Sequence, residues 1–310
     1  MANTLRYKED GTFKIVQFTD LHWENGGKKD GLTRDLMVQV INEEHPDLVV
    51  FTGDMIESQA CIDPRRSFRQ AIAAAESSGT PWAAVFGNHD TEAGITREEL
   101  MAVQLQCDHC ITESGPENIS GIGNFVVRLL GRDEITDKAL FFLDSGSYGN
   151  TCAGGYAAIA RDQIEWYVRE SEALASERGD IVPALAFFHI PLPEYRDVWE
   201  LATCYGSKYE EVCSPHLNSG MFAAMVETDN IIGTFVGHDH INDYIGELYG
   251  IRLCYGRQTG YNNYSRSGFT RGARIILLEE GKRDFRTWLR LHDGEMIYEQ
   301  SEHRPEKRKG

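Results

Sequence analysis

Five short runs of Asp, Asn and His, each directly after an apolar, β-prone stretch, constrain this chain more than any other feature. Phe13-Lys14-Ile15-Val16-Gln17-Phe18 leads into Asp20-Leu21-His22, and Asp47-Leu48-Val49-Val50-Phe51 leads into Gly53-Asp54. Residues 82–86 lead into Gly87-Asn88-His89-Asp90, residues 184–188 into His189, and residues 231–236 into Gly237-His238-Asp239-His240. Helical patterns fall between them. Leu36, Met37, Val40 and Ile41 form one stripe over 33–44; Phe68, Ala71, Ile72 and Ala75 form another over 64–78, closed by Gly79. Alternation of this kind predicts an α/β protein. Continuously apolar strands such as Ala184-Leu185-Ala186-Phe187-Phe188 suit a sheet covered on both faces. Ligands of open α/β sheets bind beyond the carboxyl ends of the strands. Five such ends therefore predict one crevice lined by carboxylates, imidazoles and an amide.

Further strands are expected at 124–130, 139–143, 251–255 and 273–278, and helices at 96–106, 161–177 and 216–227. Segments 144–160 and 191–215, rich in Gly, Pro and aromatics, read as long functional loops. The 310 residues suit one large domain with its core over about 10–285 and a frayed polar tail at 301–310. Acids exceed bases by 48 to 31, a formal charge of −17, which argues against a nucleic-acid or anionic-membrane surface. No apolar run reaches the ~20 residues of a membrane span, and residues 1–8 do not read as a signal peptide. The seven cysteines are irregularly spaced, so free, mostly buried thiols in a reducing, cytoplasmic setting are expected.

A mixed carboxylate, imidazole and amide set suits Mn, Fe or Zn better than Ca. It is too large for one ion, and Asp54, alone after its strand, is the natural bridge between two. Glycines before Asp54, Asn88 and His238 let the backbone approach a crowded centre.

In this order the five motifs strongly resemble the calcineurin-like metallophosphoesterase superfamily. The runs 187–195, Asn218-Ser219-Gly220 and Tyr255-Gly256-Arg257-Gln258-Thr259-Gly260-Tyr261 resemble its small purple-acid-phosphatase-like subgroup. The resemblance implies a four-layer αββα sandwich, two mixed β-sheets flanked by helices. It implies two divalent metal ions (Mn, Fe or Zn): Asp20, His22 and His240 on one, Asn88, His189 and His238 on the other, Asp54 bridging both. A bridging water or hydroxide would be the nucleophile and His89 the general acid, an effect worth ~10²–10⁴-fold. Either Asp90 or Glu57 would orient His89, and Arg257 would clamp a phosphate oxygen. True purple acid phosphatases carry a tyrosine ligand three residues after the bridging Asp and lack the His of Asp-x-His. Here Glu57 and His22 stand at those places, so a colourless centre is expected. With two dications, two carboxylates and a hydroxide the site would carry about +1 and attract an anionic ester.

The implied activity is metal-dependent phosphoester hydrolysis, most simply of a monoester on a small phosphorylated molecule or a phosphoprotein. A phosphodiesterase on a cyclic nucleotide or lipid headgroup shares the same motifs, and a non-catalytic scaffold shares the same fold. Other histidines read as bland. His45, His292 and His303 are expected in solvent, and Asp239 outside the ligand set. His109, in Cys107-Asp108-His109-Cys110, lacks the second pair that a zinc site needs. Cys204 and Cys213 are expected as free thiols.

Overall fold

The computed structural model describes residues 4–149 and 153–305. In chain order these form β1 (Thr4–Arg6), β2 (Thr12–Phe18), α1 (Lys28–Glu44), β3 (Leu48–Thr52), α2 (Pro64–Ser78), β4 (Trp82–Val85), α3 (Arg97–Gln104), β5 (Phe125–Leu130) and β6 (Thr136–Phe142). There follow α4 (Arg161–Arg178), β7 (Ala184–Phe187), α5 (Glu194–Leu201), β8 (Cys204–Tyr205), α6 (Met221–Thr228), β9 (Ile231–Val236), β10 (Ile245–Leu248) and β11 (Ile251–Tyr255). Strands β12 (Gly272–Glu279), β13 (Phe285–Leu291), β14 (Met296–Ile297) and β15 (Glu302–His303) complete the fold.

Two mixed sheets result, ordered β1-β5-β6-β7-β9-β11-β10-β8-β15 and β14-β13-β12-β2-β3-β4. Strand alternation distributes their side chains. Phe13 and Ile15 of β2, with Leu48 and Val50 of β3, meet Leu140, Phe142, Leu185 and Phe187 of the other sheet between the two layers. The opposite faces, Val16 and Phe18 or Val49 and Phe51, pack on Leu36, Met37, Phe68 and Ala71 of α1 and α2. Phe141 and Ala186 of the larger sheet pack on Trp166 and Tyr167 of α4 and on Met221 and Met225 of α6. The order helices, sheet, sheet, helices is the expected four-layer sandwich.

Strands β2, β3 and β4 are parallel neighbours, as are β7 and β9. Their carboxyl ends therefore open toward one edge of the sandwich. Gln17 ties the two sheets there, its Nε2 donating to Thr52 Oγ1 at 2.9 Å and to the Val236 carbonyl at 3.0 Å.

Several sequence expectations need correction. The core extends past residue 285, because Phe285–Leu291 pairs along the whole of β12. The alternation there is real, but Arg286 and Arg290 mask it. The tail does not fray at 301: Glu302–His303 pairs with β8, and the His303 ring stacks on Trp199 at 3.7 Å. His292 likewise faces Tyr261 Oη rather than open solvent. Segment 191–215 contains α5, which starts after Pro193, where a fixed φ costs a helix nothing. The helix expected from 216 begins only at Met221, because Gly220 ahead of it sits at φ +88°. Of the seven cysteines, Cys152 lies outside the described residues; the other six are unpaired.

Candidate metal centre

The turns after β2, β3 and β9 depart from ordinary backbone. Asp20 (φ 54°), His22 (φ 44°), Asp54 (φ 50°) and His238 (φ 77°) all lie in the left-handed region, four of the eight non-glycine residues so placed among those described. That conformation costs a non-glycine residue of order 1 kcal/mol or more and concentrates at functional sites. Close approach adds a second constraint. A Cβ on Gly237 would lie 1.9 Å from Thr19 Oγ1, and one on Gly87 would lie 2.1 Å from Asp54 Oδ1.

These turns bring the motif side chains into two buried groups, Asp20, His22, Asp54 and His240 in one, Asp54, His189 and His238 in the other, with Asp54 in both. Asp54 Oδ2 lies 3.1 Å from His189 Nε2 and 3.6 Å from His22 Nε2. His22 Nε2 and His240 Nε2 are 3.1 Å apart. His189 Nε2 stands 3.2 Å from both Asn88 Oδ1 and His238 Nδ1.

Outer contacts fix each group. Asp20 accepts from Thr19 Oγ1 at 2.8 Å and from the His238 amide at 3.1 Å. Asp54 Oδ1 accepts the His89 amide at 2.8 Å. His189 Nδ1 donates to the Thr52 carbonyl at 2.8 Å, and His22 Nδ1 faces Glu57 Oε2 at 2.9 Å, so both rings present Nε2 to the centre. Asn262 and Asn263, in a loop whose role the motifs did not announce, donate to the carbonyls of His22 and Asp20.

The set fits divalent cations. Asp54 Oδ2, buried between the two groups, has no hydrogen-bond partner, although buried polar groups are normally paired. Nitrogens and oxygens bound at about 2.0–2.2 Å to one ion stand roughly 3–3.5 Å from each other, close to the spacings found here. Without cations, protons take their place. Burial raises Asp54, but His189, His22 and His89 outweigh it and hold its carboxyl well below the usual range. Burial lowers His189, yet Asp54 and Asp20 lift it to about 9. Burial and the neighbouring His189 push His238 down to about 3.

His89 sits at the mouth, its side chain 30% exposed and its ring centroid 4.9 Å from that of His22. Burial opposes its protonation, but Glu57, Asp54 and Glu92 raise it to about 10. Its Nδ1 lies 3.5 Å from Glu57 and 2.9 Å from Glu92. Glu92 was not singled out by the motifs. Its only sequence signal is its place three residues after His89. Tyr156, edge-on to His238 at 4.4 Å, and Tyr264, 4.4 Å from His240, flank the centre from the later loops.

Two site expectations are corrected. Asp90 does not touch the His89 ring. Its buried carboxyl accepts the Ile56 amide at 3.0 Å and the Gly87 amide at 2.8 Å, clamping the turn after β3 to the turn after β4. Arg257, expected as a substrate clamp, is engaged within the protein instead. It is buried, ion-paired with Asp243, bonded to the Thr270 carbonyl at 2.7 Å and stacked on Phe269 at 3.3 Å. Asp239, expected outside the ligand set, is buried and accepts from Tyr255 Oη and the Cys213 amide.

Comparison with known proteins follows the same lines. The sequence profile described as calcineurin-like phosphoesterase matches residues 13–242. A protein of Arabidopsis thaliana named probable inactive purple acid phosphatase 29 is 34% identical, over 93% of this chain and 85% of that protein. Phosphatase DCR2 of Saccharomyces cerevisiae is 32% identical, over 94% of this chain and 56% of that protein. Among solved structures, a dimetal phosphatase of Danio rerio superposes with a TM-score of 0.58 at 13% identity, over 89% of this chain and 98% of that one. The GAP50 anchor of the Plasmodium inner membrane complex gives 0.59 at 12% identity, over 95% and 90%. At such identities these two show the fold alone.

Proposed function

The chain belongs to the calcineurin-like phosphoesterase family, in its purple-acid-phosphatase-like subgroup, and on that premise we propose that it is a dinuclear metal-dependent phosphomonoesterase. The observation that carries this is Asp54 Oδ2, a fully buried carboxylate oxygen without a hydrogen bond, facing His22 on one side and His189 on the other. Asp20, His22 and His240 would hold one ion, Asn88, His189 and His238 the other, and Asp54 both. When bound, such ions draw in phosphoryl oxygens and lower the pKa of water at neutral pH. The protein's own work is to hold and move protons. Glu57 and the Thr52 carbonyl keep His22 and His189 in the tautomer that offers Nε2 inward. His89, with Nδ1 turned to carboxylates, has Nε2 left to protonate the departing alkoxide.

Some relatives are named probable inactive purple acid phosphatases. In this chain Glu57 stands where the tyrosine ligand of purple acid phosphatases would be. The other expected ligand residues lie close together, which supports an active, colourless centre of Mn, Fe or Zn. Monoester preference is supported by the phosphatase names of the relatives. The test is release of nitrophenol from p-nitrophenyl phosphate and from bis-p-nitrophenyl phosphate, after chelation and again after Mn²⁺ addition, with Asp54→Asn as control. Metal-dependent monoester turnover, lost in the variant, is expected. Faster diester turnover would make the protein a phosphodiesterase, and no turnover with two metals bound would mean a narrow substrate requirement or a scaffold.

A further inference from the structure

Two carboxylates compete for one imidazole N–H at the mouth of the site. Glu57 Oε2 stands 2.9 Å from His22 Nδ1 and only 3.5 Å from His89 Nδ1. The shorter contact is a full hydrogen bond; the longer one is a weaker attraction beyond ordinary hydrogen-bond length. His22 needs that bond, since a ring that offers Nε2 inward carries its proton on Nδ1. Glu57 is therefore committed to His22. Glu92 Oε2 lies 2.9 Å from His89 Nδ1, and its side chain is 9% exposed against 24% for Glu57. The more desolvated carboxylate at the shorter distance makes the stronger bond.

Glu92 is also held from every side. Gln59 Nε2 donates to Oε2 at 3.0 Å. Tyr148 Oη donates to Oε1. Ser58 Oγ accepts the Glu92 amide at 2.9 Å while donating to the His89 carbonyl at 2.5 Å. Tyr148 Oη in turn accepts from Asn88 Nδ2 at 3.4 Å, which leaves Asn88 Oδ1 toward His189. One phenol thus connects the carboxylate behind His89 with the amide inside the centre.

We propose that Glu92, locked by Tyr148 and Gln59, is the positioning residue of His89, and that Glu57 serves His22 instead. This rests on the phosphatase reading only for its kinetic consequence; the placement of the imidazole is a property of the metal-free protein. Two arms test it separately. In the first, metal-free protein labelled with ¹⁵N-histidine is followed at fixed pH by long-range ring spectra, with the His89 signals assigned by their loss in His89→Ala. Glu92→Gln and Glu92→Ala should shift the His89 Nδ1 resonance and abolish the protection of its proton from exchange. Glu57→Gln should move the His22 resonances instead. Unchanged His89 signals in both Glu92 variants, or a larger shift from Glu57→Gln, would overturn the proposal even if the protein turned over no substrate. In the second arm, the metal-loaded enzyme is assayed on β-glycerol phosphate and p-nitrophenyl phosphate. Glu92→Ala should lower kcat on the alkyl ester by roughly 10- to 100-fold more than on the aryl ester, with KM nearly unchanged. Added to His89→Ala it should cause no further loss. Equal losses on both esters, or additive losses in the double variant, would overturn it. Absence of wild-type turnover would count against the phosphatase reading and leave the ring spectra to decide the placement.

Discussion

Replacing Asp90 separates a clamp from a catalytic partner. The carboxyl of Asp90 is buried and accepts two backbone amides, Ile56 at 3.0 Å and Gly87 at 2.8 Å, from turns that follow adjacent strands. Asp90→Ala strands both N–H groups in a place water does not reach. Each unsatisfied buried donor costs about 1–3 kcal/mol, so the pair should cost about 2–6 kcal/mol. Asp90→Asn keeps one acceptor but turns an NH₂ toward the second donor, so about 2–4 kcal/mol is expected. Burial and the nearby Asp54 raise the Asp90 carboxyl to about 6 in the metal-free site. The amide should therefore be least damaging below pH about 6, where the native group carries a proton too. The assay is urea unfolding followed by tryptophan fluorescence, at pH 5 and pH 7.5, with chelator present. With a slope of about 3 kcal/mol per molar urea, Asp90→Asn at pH 7.5 should lower the midpoint by about 1 M. Residual activity on alkyl and aryl esters should fall in equal proportion, because both turns shift together. A midpoint within about 0.2 M of wild type, or a loss confined to the alkyl ester as in His89→Ala, would refute the clamp and restore Asp90 as the partner of His89.

Two further outcomes are expected. Asp54→Asn should lose metal from both groups at once, since Asp54 belongs to each; near-normal metal stoichiometry by elemental analysis, with near-normal turnover, would sink the bridging assignment. Metal uptake should release protons near neutral pH. His189 is raised from 6.5 to about 9 in the metal-free protein and must be neutral to bind an ion. Apparent affinity should then rise about tenfold per pH unit for each proton released, and calorimetry in buffers of different ionisation heat would show no buffer dependence if the idea is wrong. The same proton stabilises the metal-free fold fully below pH about 6.5, and that contribution is lost as pH rises through about 9.

Local sequence determined the layers and which side chains gather at the strand ends, because both follow from short-range rules. A period of two sent Phe13 and Ile15 to one face of β2 and Val16 and Phe18 to the other. A period of 3.6 placed α1 and α2 on the outer face. Strands that are parallel by βαβ connection must end on the same side, so Asp20, Asp54 and Asn88 were bound to meet. Where the chain hid its pattern, the reading fell short. Arginines on the outer face concealed β13, and two prolines concealed α5.

Partner choice was decided only in three dimensions. Nothing within a few residues of Arg257 says that Asp243 will neutralise it, or that Phe269 will lie beneath it. Asp90 adjoins His89 in sequence, yet its carboxyl points back to Gly87 and Ile56. Glu92 and Tyr148 meet across 56 residues. Motif spacing reports which side chains share a strand end. Which carboxylate then takes which imidazole depends on differences of well under 1 Å, set by how loops from separate strands pack on one another.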